Sequence, residues 1–429
     1  MVGSGVSGLT AAYVLRGSHD VTVFETQDRL GGHAHTHDVA GSDGRTYAVD
    51  SGFIVHNDRT YPLLRQLFAE LDVPVRATEM SMSIRCDGCG LEYAGGRGAA
   101  GITAQPRRLA DPRFVGLLLQ VRHFQRLAGR FLADNPGSAD SGAGGGAGAG
   151  DGAEISYGDF LRMHSFGDYF VRHYAVPVVS CVWSAGHDVA LAYPALYLFR
   201  FLEHHGFLSL RDAPQWYTVV GGSRTYVRAV AEAVGDVRVS TGVKAITRKP
   251  DGVELLDAHG ETHLVDKVVV ATHADDALAL LTDPSDDERA ALGAFCYSRN
   301  EAVLHTDASV LPRAARARAS WNYHLQRCDE RREQTRVGYW MNRLQGYGDA
   351  ADAFVVSLND GERVDPASVV ARMQYTHPVY NAESLAAQGR LAGMATDRTA
   401  FAGAHHGWGF HEDGCRSGVE AARRLGADW

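Results

Sequence analysis

The chain has 429 residues, 45% apolar and 22% charged, which is ordinary for a globular protein and long enough for two domains with sizeable cores. Its formal net charge of −9 argues against nucleic acid as a partner, because that would favour a basic surface. No signal peptide and no run of 18 apolar residues appears, and the six cysteines are sparse, so the expectation is a cytoplasmic protein without a transmembrane helix.

In chain order, the first thirty residues carry the strongest pattern. Gly3, Gly5 and Gly8 form G-x-G-x-x-G, followed by a helical pattern through Leu9, Ala12, Tyr13 and Leu15. An apolar run, Val21-Thr-Val-Phe24, then ends at Glu25. This is the order of a dinucleotide-binding βαβ unit. Gly3 permits the tight turn, Gly5 lets backbone approach a pyrophosphate, and Gly8 lets helix and strand pack closely. Val6 and Ser7 open the helix, whose unpaired N–H groups and positive dipole end face the phosphates. Glu25, 22 residues after Gly3, suits a ribose hydroxyl and disfavours a 2′-phosphate. On these residues alone NAD and FAD both remain open. Only Met1 and Val2 precede Gly3, where such a unit normally has a longer strand. A start codon assigned too late is the expectation.

Residues 33–61 read as extended structure with turns. Leu64, Leu67, Phe68 and Leu71 predict a helix over 61–71, ended by Pro74. In 79–95, Met80, Met82 and Ile84 alternate with polar positions and predict short strands. An amphipathic helix is expected over 112–133, with Phe114, Leu117, Val121 and Phe124 on one face. Its other face holds Arg113, Arg122, Arg126 and Arg130, either a solvated face or a surface that touches anionic membrane lipid. The Gly-, Ala- and Ser-rich stretch 137–153 reads as a flexible insertion with no chemistry. Helical patterns return at 156–166, 167–180 and 194–206. Gly221-Gly222-Ser223 precedes a helix at 225–234. Short strands follow at 237–240, 243–247, 253–256 and 263–266, then a buried strand entering a turn at 267–272. After 286, the segments 302–306, 319–324, 336–342 and 353–358 suit an antiparallel sheet.

Four constellations could carry chemistry. His33, His35 and His37 alternate, so they either share one face for a metal or serve packing and phosphate contact. Cys86-Asp-Gly-Cys89 is half a zinc knuckle with no second half in view, and reads as a turn with two thiols. His405, His406, Trp408, Phe410 and His411 crowd the tail, where a histidine could act as acid or base or simply pack. Trp321, Tyr323, Tyr339, Trp340 and Asn342 are core aromatics and a polar neighbour, or the walls of a substrate pocket. No motif supports Ser/His/Asp hydrolysis.

Asp28-Arg-Leu-Gly31-Gly32, a second glycine pair just past the acid, resembles a step of the flavin-containing amine oxidase and phytoene desaturase superfamily, which uses FAD. Gly221-Gly222-Ser223, Val243, Val270-Ala-Thr272 and Gly409-Phe-His-Glu-Asp-Gly414 resemble further motifs of that superfamily. The resemblance implies an α/β fold: a Rossmann-type FAD-binding domain from 1–78, 215–285 and 398–429, and a substrate domain of mixed sheet plus helices from 79–214 and 286–397. It implies that Arg29, Gly31, Gly32 and His33 meet the diphosphate and that the backbone of Val243 clamps the adenine side. It further implies that Thr272, Gly403, Phe410, Glu412, Asp413 and Gly414 lie by the flavin. The catalytic expectations are His406, Trp408 and His411, with no resident metal. Asp50-Ser-Gly-Phe-Ile-Val55, Arg59-Thr-Tyr-Pro62 and Trp340-Met-Asn-Arg-Leu-Gln345 resemble a bacterial subgroup often encoded beside cyclopropane-fatty-acid-synthase-type methyltransferases. That implies a hydrophobic or lipid substrate, and a methyltransferase as partner. Amine oxidases of the superfamily place a lysine near flavin N5. Lysine occurs here only at 244, 249 and 267, outside the expected substrate-side sheet. Desaturation, with hydride passing to flavin N5, therefore fits better than amine oxidation. A flavin-binding partner protein without redox turnover is the expectation from a different class.

Overall fold

The computed structural model describes residues 1–136, 155–208 and 213–429. The Gly-rich stretch 137–153 lies outside them.

A parallel layer is assembled from five distant pieces of chain. Asp236–Arg238 pairs with Thr22–Phe24, with Val237 opposite Val23. Val2 bridges Phe24 on one side and Val270 on the other. Val268–Val270 pairs with Thr399–Phe401. Val268, Val269 and Val270 are each 1% exposed, as β-branched residues are in a strand covered on both faces. The first helix, Val6–Leu15, is buried along its whole length, in keeping with a sequence that is apolar nearly all round. The tail helix, His411–Arg424, crosses it at close range. A Cβ at Gly414 would stand 2.6 Å from Val6 Cγ1, and one at Gly418 would stand 2.4 Å from the Ser7 carbonyl oxygen. Both glycines are therefore packing positions.

A second sheet has seven strands in the order Val369–Val379, Cys296–His305, Val355–Leu358, Val337–Trp340, Trp321–Leu325, Met82–Cys86 and Leu91–Gly95. It is mixed, not antiparallel throughout, because Met82–Cys86 joins it parallel to Trp321–Leu325. That strand is interior, so Ser83 and Arg85 are buried along with Ile84, and the polar–apolar alternation does not divide a wet face from a dry one. Val369–Val379 has no expected counterpart. Its polar residues and Pro378 suit an edge strand, where a missing N–H costs no ladder bond.

The long helix, Pro112–Asp134, starts as expected, with Asp111 accepting from the Arg113 N–H. Arg122, Arg126 and Arg130 are exposed on it, and so is Leu119, at 64%. The helical stretch beyond Asp168 is not uniform: a π-helical turn, Val171–Ala175, precedes Val176–Trp183. A further helix, Ala195–His204, packs its aromatic residues inward. Among the described residues no helix is long and apolar enough to cross a membrane.

Candidate active site

The glycine turn rests on the end of Val268–Val270. Gly3 takes φ +97°, and a Cβ there would stand 2.7 Å from the Ala271 carbonyl oxygen and 3.5 Å from Thr272 Cγ2. A Cβ at Gly8 would fall 2.0 Å from the Gly3 carbonyl oxygen, so only glycine closes the turn. At Gly5 an added Cβ would meet nothing within 4 Å. This is the side from which a ligand can approach. Gly31 (φ +105°) and Gly32 (φ +56°) bend a second backbone segment over it, so that a Cβ at Gly32 would stand 3.2 Å from Gly5 Cα.

Gly5 caps the first helix without a side-chain bond, and the first turn carries no acid. Its free N–H groups and positive end therefore face the opening. Val6 and Ser7 contribute only backbone there, because their side chains meet Gly414. Glu25 accepts from the Ser4 N–H at 2.9 Å and from the Ser4 hydroxyl at 2.5 Å. Val243 lies alongside: the Thr241 N–H donates to the Glu25 carbonyl at 2.8 Å. The ladder of Val243–Lys249 slips between Val243 and Ala245, which frees backbone at that point. Arg29 is partly buried, and its Nη1 is buried with no protein partner.

Beyond the glycines, histidines gather from distant segments. His33 lies 5.1 Å from Tyr375, 5.6 Å from His377 and 6.3 Å from His273, ring to ring. His273 stacks on Tyr297 at 4.4 Å, and His411 stacks on Phe53 at 3.7 Å. Burial lowers His411 to about 3 and both His377 and His406 to about 4. Burial first, and then the neighbouring imidazoles, pushes His33 well below its ordinary value. These imidazoles are thus neutral at neutral pH. The Nε2 atoms of His33, His405, His406 and His411 are buried without a partner. His33, His35 and His37 do not converge on one point. The strand Thr36–Ala40 begins only after the first two, His35 bonds the Tyr375 hydroxyl at 3.1 Å, and His37 bonds Ser51 Oγ at 2.9 Å.

The tail residues are held by partners within the protein. Phe410 stacks on Phe201 at 5.0 Å, and Trp408 lies 5.8 Å from Phe201 and 5.2 Å from His204, so both rings insert among helices. Glu412 accepts from the Leu63 and Leu64 N–H groups, each at 3.0 Å, and so caps the helix Pro62–Glu70. Asp413 accepts from the Phe410 N–H at 3.0 Å and from Arg416 at 2.6 Å, closing the first turn of its own helix. Helix N-termini claim these carboxylates, so the side chains of Glu412 and Asp413 hold the loop in place. The Gly403 N–H donates to Ser417 Oγ at 3.0 Å, and the His405 ring fills the space beside Gly403. The three catalytic expectations separate: His406 sits by Arg416, His411 on Phe53, and Trp408 on the helix Ala195–His204.

Tyr323 is buried in the sheet core, Trp321 pairs across strands with Tyr339 at 5.8 Å, and Asn342 accepts from the Phe354 N–H at 2.6 Å. The aromatic wall beside the tail comes instead from Trp183, Tyr197, Phe201 and Tyr380. Trp183 Nε1 donates to the Trp408 carbonyl at 3.0 Å, and the Tyr197 hydroxyl to the Gly407 carbonyl at 3.2 Å. Sequence reasoning missed these residues, and also His273, Tyr375 and His377. None of the three lysines reaches the site: Lys244 bonds the Ala258 carbonyl, Lys249 pairs with Glu254, and Lys267 bonds the Leu425 carbonyl. A groove of about 610 Å³ near Trp429 opens at the far, C-terminal end of the first helix.

An open face at Gly5, an uncapped helix end, an unpartnered guanidinium and a carboxylate at the next strand end together fit an anionic dinucleotide. Unpartnered imidazoles fit the polar edge of a ring system beyond it. The family model described as flavin containing amine oxidoreductase matches residues 6–365, and the chain belongs to that family. It is a flavin-dependent oxidoreductase whose cofactor is FAD. Its amine-oxidase-like α/β fold is shared with cyclohexylamine oxidase from Brevibacterium oxydans IH-35A (TM-score 0.69, 17% identity, covering 99% of this chain and 97% of that chain). It is shared also with a CLA-producing fatty acid isomerase from P. acnes (0.68, 16%, 97% and 95%). Putrescine oxidase bound to putrescine is similar as well (0.65, 15%, 98% and 97%). At these identities the likeness is one of fold. A search of curated proteins finds no match to the chain.

Proposed function

We propose that the protein oxidises a hydrophobic substrate, a modified fatty acyl chain, by removing two hydrogens across a carbon–carbon bond. FAD, when bound, supplies the two-electron acceptor. Gly5, Gly32 and Arg29 would hold its diphosphate and Glu25 a ribose, with Gly3, Gly8 and Gly31 shaping the turns and Val243 and Thr272 flanking them. One histidine, His411 or His406, each neutral and with Nε2 unpartnered, is the residue we assign to take the substrate proton. Trp408 belongs to the wall that the substrate meets.

The observation that carries this reading is the lining itself: aromatic rings and uncharged histidines, with every lysine tied elsewhere. Such a lining suits an apolar chain and lacks the residue with which the amine oxidases of the superfamily hold a water. Amine oxidation is the second reading, favoured by the fold shared with two amine oxidases. The stripe of Leu119, Arg122, Arg126 and Arg130 would let a cytoplasmic enzyme rest on anionic lipid. Arg122→Glu with Arg126→Glu should then abolish co-sedimentation with anionic vesicles.

Purified protein should be yellow. Anaerobic mixing with lipid extracts should bleach the flavin. Bleaching by amines alone would replace this reading with amine oxidation. Flavin that no candidate reduces would leave a partner protein for a lipid methyltransferase, and a colourless protein would end every redox reading. Lipid profiling of a deletion strain identifies the substrate.

A further inference from the structure

The thiols of Cys86 and Cys89 acquire in the fold the second half that the sequence around them lacks. Cys86 Sγ lies 3.5 Å from Cys328 Sγ, and Cys89 Sγ lies 3.7 Å from His173 Nε2. The four ligand atoms of Cys86, Cys89, His173 and Cys328 all lie within 4.8 Å of one another. From this geometry we propose that the four residues bind one zinc ion as a Cys3His structural site.

Three features support it. The first is spacing. A tetrahedral ion at about 2.3 Å from each sulfur sets ligand atoms roughly 3.8 Å apart, close to the two separations observed. The second is the loop. Gly90, directly after Cys89, takes φ +68°, and a Cβ at Gly88 would stand 3.0 Å from Arg327 Cα and Cys328 N, so glycine lets the two ligand-bearing loops touch. The third is the outer shell. His173 is fully buried and its Nδ1 bonds the Tyr169 carbonyl at 2.9 Å, which sets the tautomer that leaves Nε2 free for a metal. Arg108 donates to the Cys89 carbonyl and Arg172 to the Cys328 carbonyl at 3.5 Å, placing positive charge beside a centre with three thiolates.

His173 stands in the π-helical turn Val171–Ala175, an irregularity that often marks a functional position. All four coordination places are filled by protein, which makes the site a closed one. The ion would staple the hairpin after Met82–Cys86 and the loop after Trp321–Leu325 to the helical layer. It neither needs nor performs redox chemistry, so the proposal stands apart from the flavin reading.

The test is metal analysis of the full-length protein purified without chelators. About one zinc per chain is expected, falling at least fivefold in Cys89→Ser and Cys328→Ser and unchanged in Cys296→Ser, whose thiol is exposed elsewhere. Should the site variants not fold, wild-type protein loaded with cobalt decides: tetrahedral thiolate bands should appear beyond the flavin's absorption and vanish on adding zinc. Metal-free wild-type protein without a cobalt signal overturns the proposal. So does zinc retained equally in both site variants, or a Cys86–Cys328 disulfide in anaerobically prepared protein.

Discussion

Gln345 holds Asp50 from two sides: its side-chain carbonyl accepts the Asp50 N–H at 2.9 Å, and its amide donates to the Asp50 carboxylate at 2.9 Å. The same carboxylate accepts from the Thr36 hydroxyl at 2.6 Å and from the Ser223 N–H and hydroxyl at 2.9 and 2.7 Å. One buried acid thus ties the segment after Gly32, the Gly221-Gly222 turn and the seven-stranded sheet together. Gln345→Ala would leave a buried N–H and a carboxylate oxygen short of partners. It should cost about 2–3 kcal/mol in a denaturant melt and weaken FAD retention. A melt unchanged from wild type would show that the junction is not stabilising.

Glu412 makes stability depend on pH. Burial raises its carboxyl from an ordinary 4.5 to about 7. Below about 4.5 both folded and unfolded chains hold the proton, and the contribution is fully present. Between about 4.5 and 7 the unfolded chain binds fewer protons than the folded one, so stability falls as pH rises, by at most about 1.4 kcal/mol per pH unit. Glu412→Gln removes this titration. Its melting temperature plotted against pH should be flatter than wild type across that window, and parallel curves would refute the assignment.

Gly5 and Gly8 separate ligand space from folding space. Gly5 has φ −63° and ψ 175°, which any residue adopts, and open space beside it. Gly5→Val should therefore keep apoprotein stability within about 0.5 kcal/mol while lowering FAD affinity at least tenfold. Gly8→Ala, by contrast, should lose fold and flavin together. Full flavin loading of Gly5→Val would place the diphosphate elsewhere.

His411 bears on the proposed chemistry. His411→Ala should retain bound FAD yet slow anaerobic flavin reduction by the substrate about a hundredfold, the usual effect of removing an acid–base group. An unchanged stopped-flow rate would exclude His411 from that role.

The glycine cradle was legible because its constraints are local. Each glycine answers a clash with backbone a few residues away or with a strand whose run of valines is itself readable. The histidine lining was not, since His33, His273, His377 and His411 meet only after two sheets have packed. Val369–Val379 was hidden by Pro378 and by polar residues natural to an edge, and with it went Tyr375 and His377. The thiol cluster was half legible. Cys86 and Cys89 announce themselves, but Cys328 is 242 residues from Cys86, and His173 is 84 from Cys89. In the tail the histidines and acids were visible, whereas the helix ends that claim Glu412 and Asp413 were not.

The parallel layer closes only when Thr399–Phe401 takes its place beside Val268–Val270. A ribosome releases those residues long after Val268–Val270. Until then a nascent chain carries an open strand edge and a first helix without the cover of Gly414 and Gly418, both invitations to aggregate. Acquisition of the coenzyme therefore waits for that strand, and a stop anywhere before residue 399 should yield no partial enzyme at all.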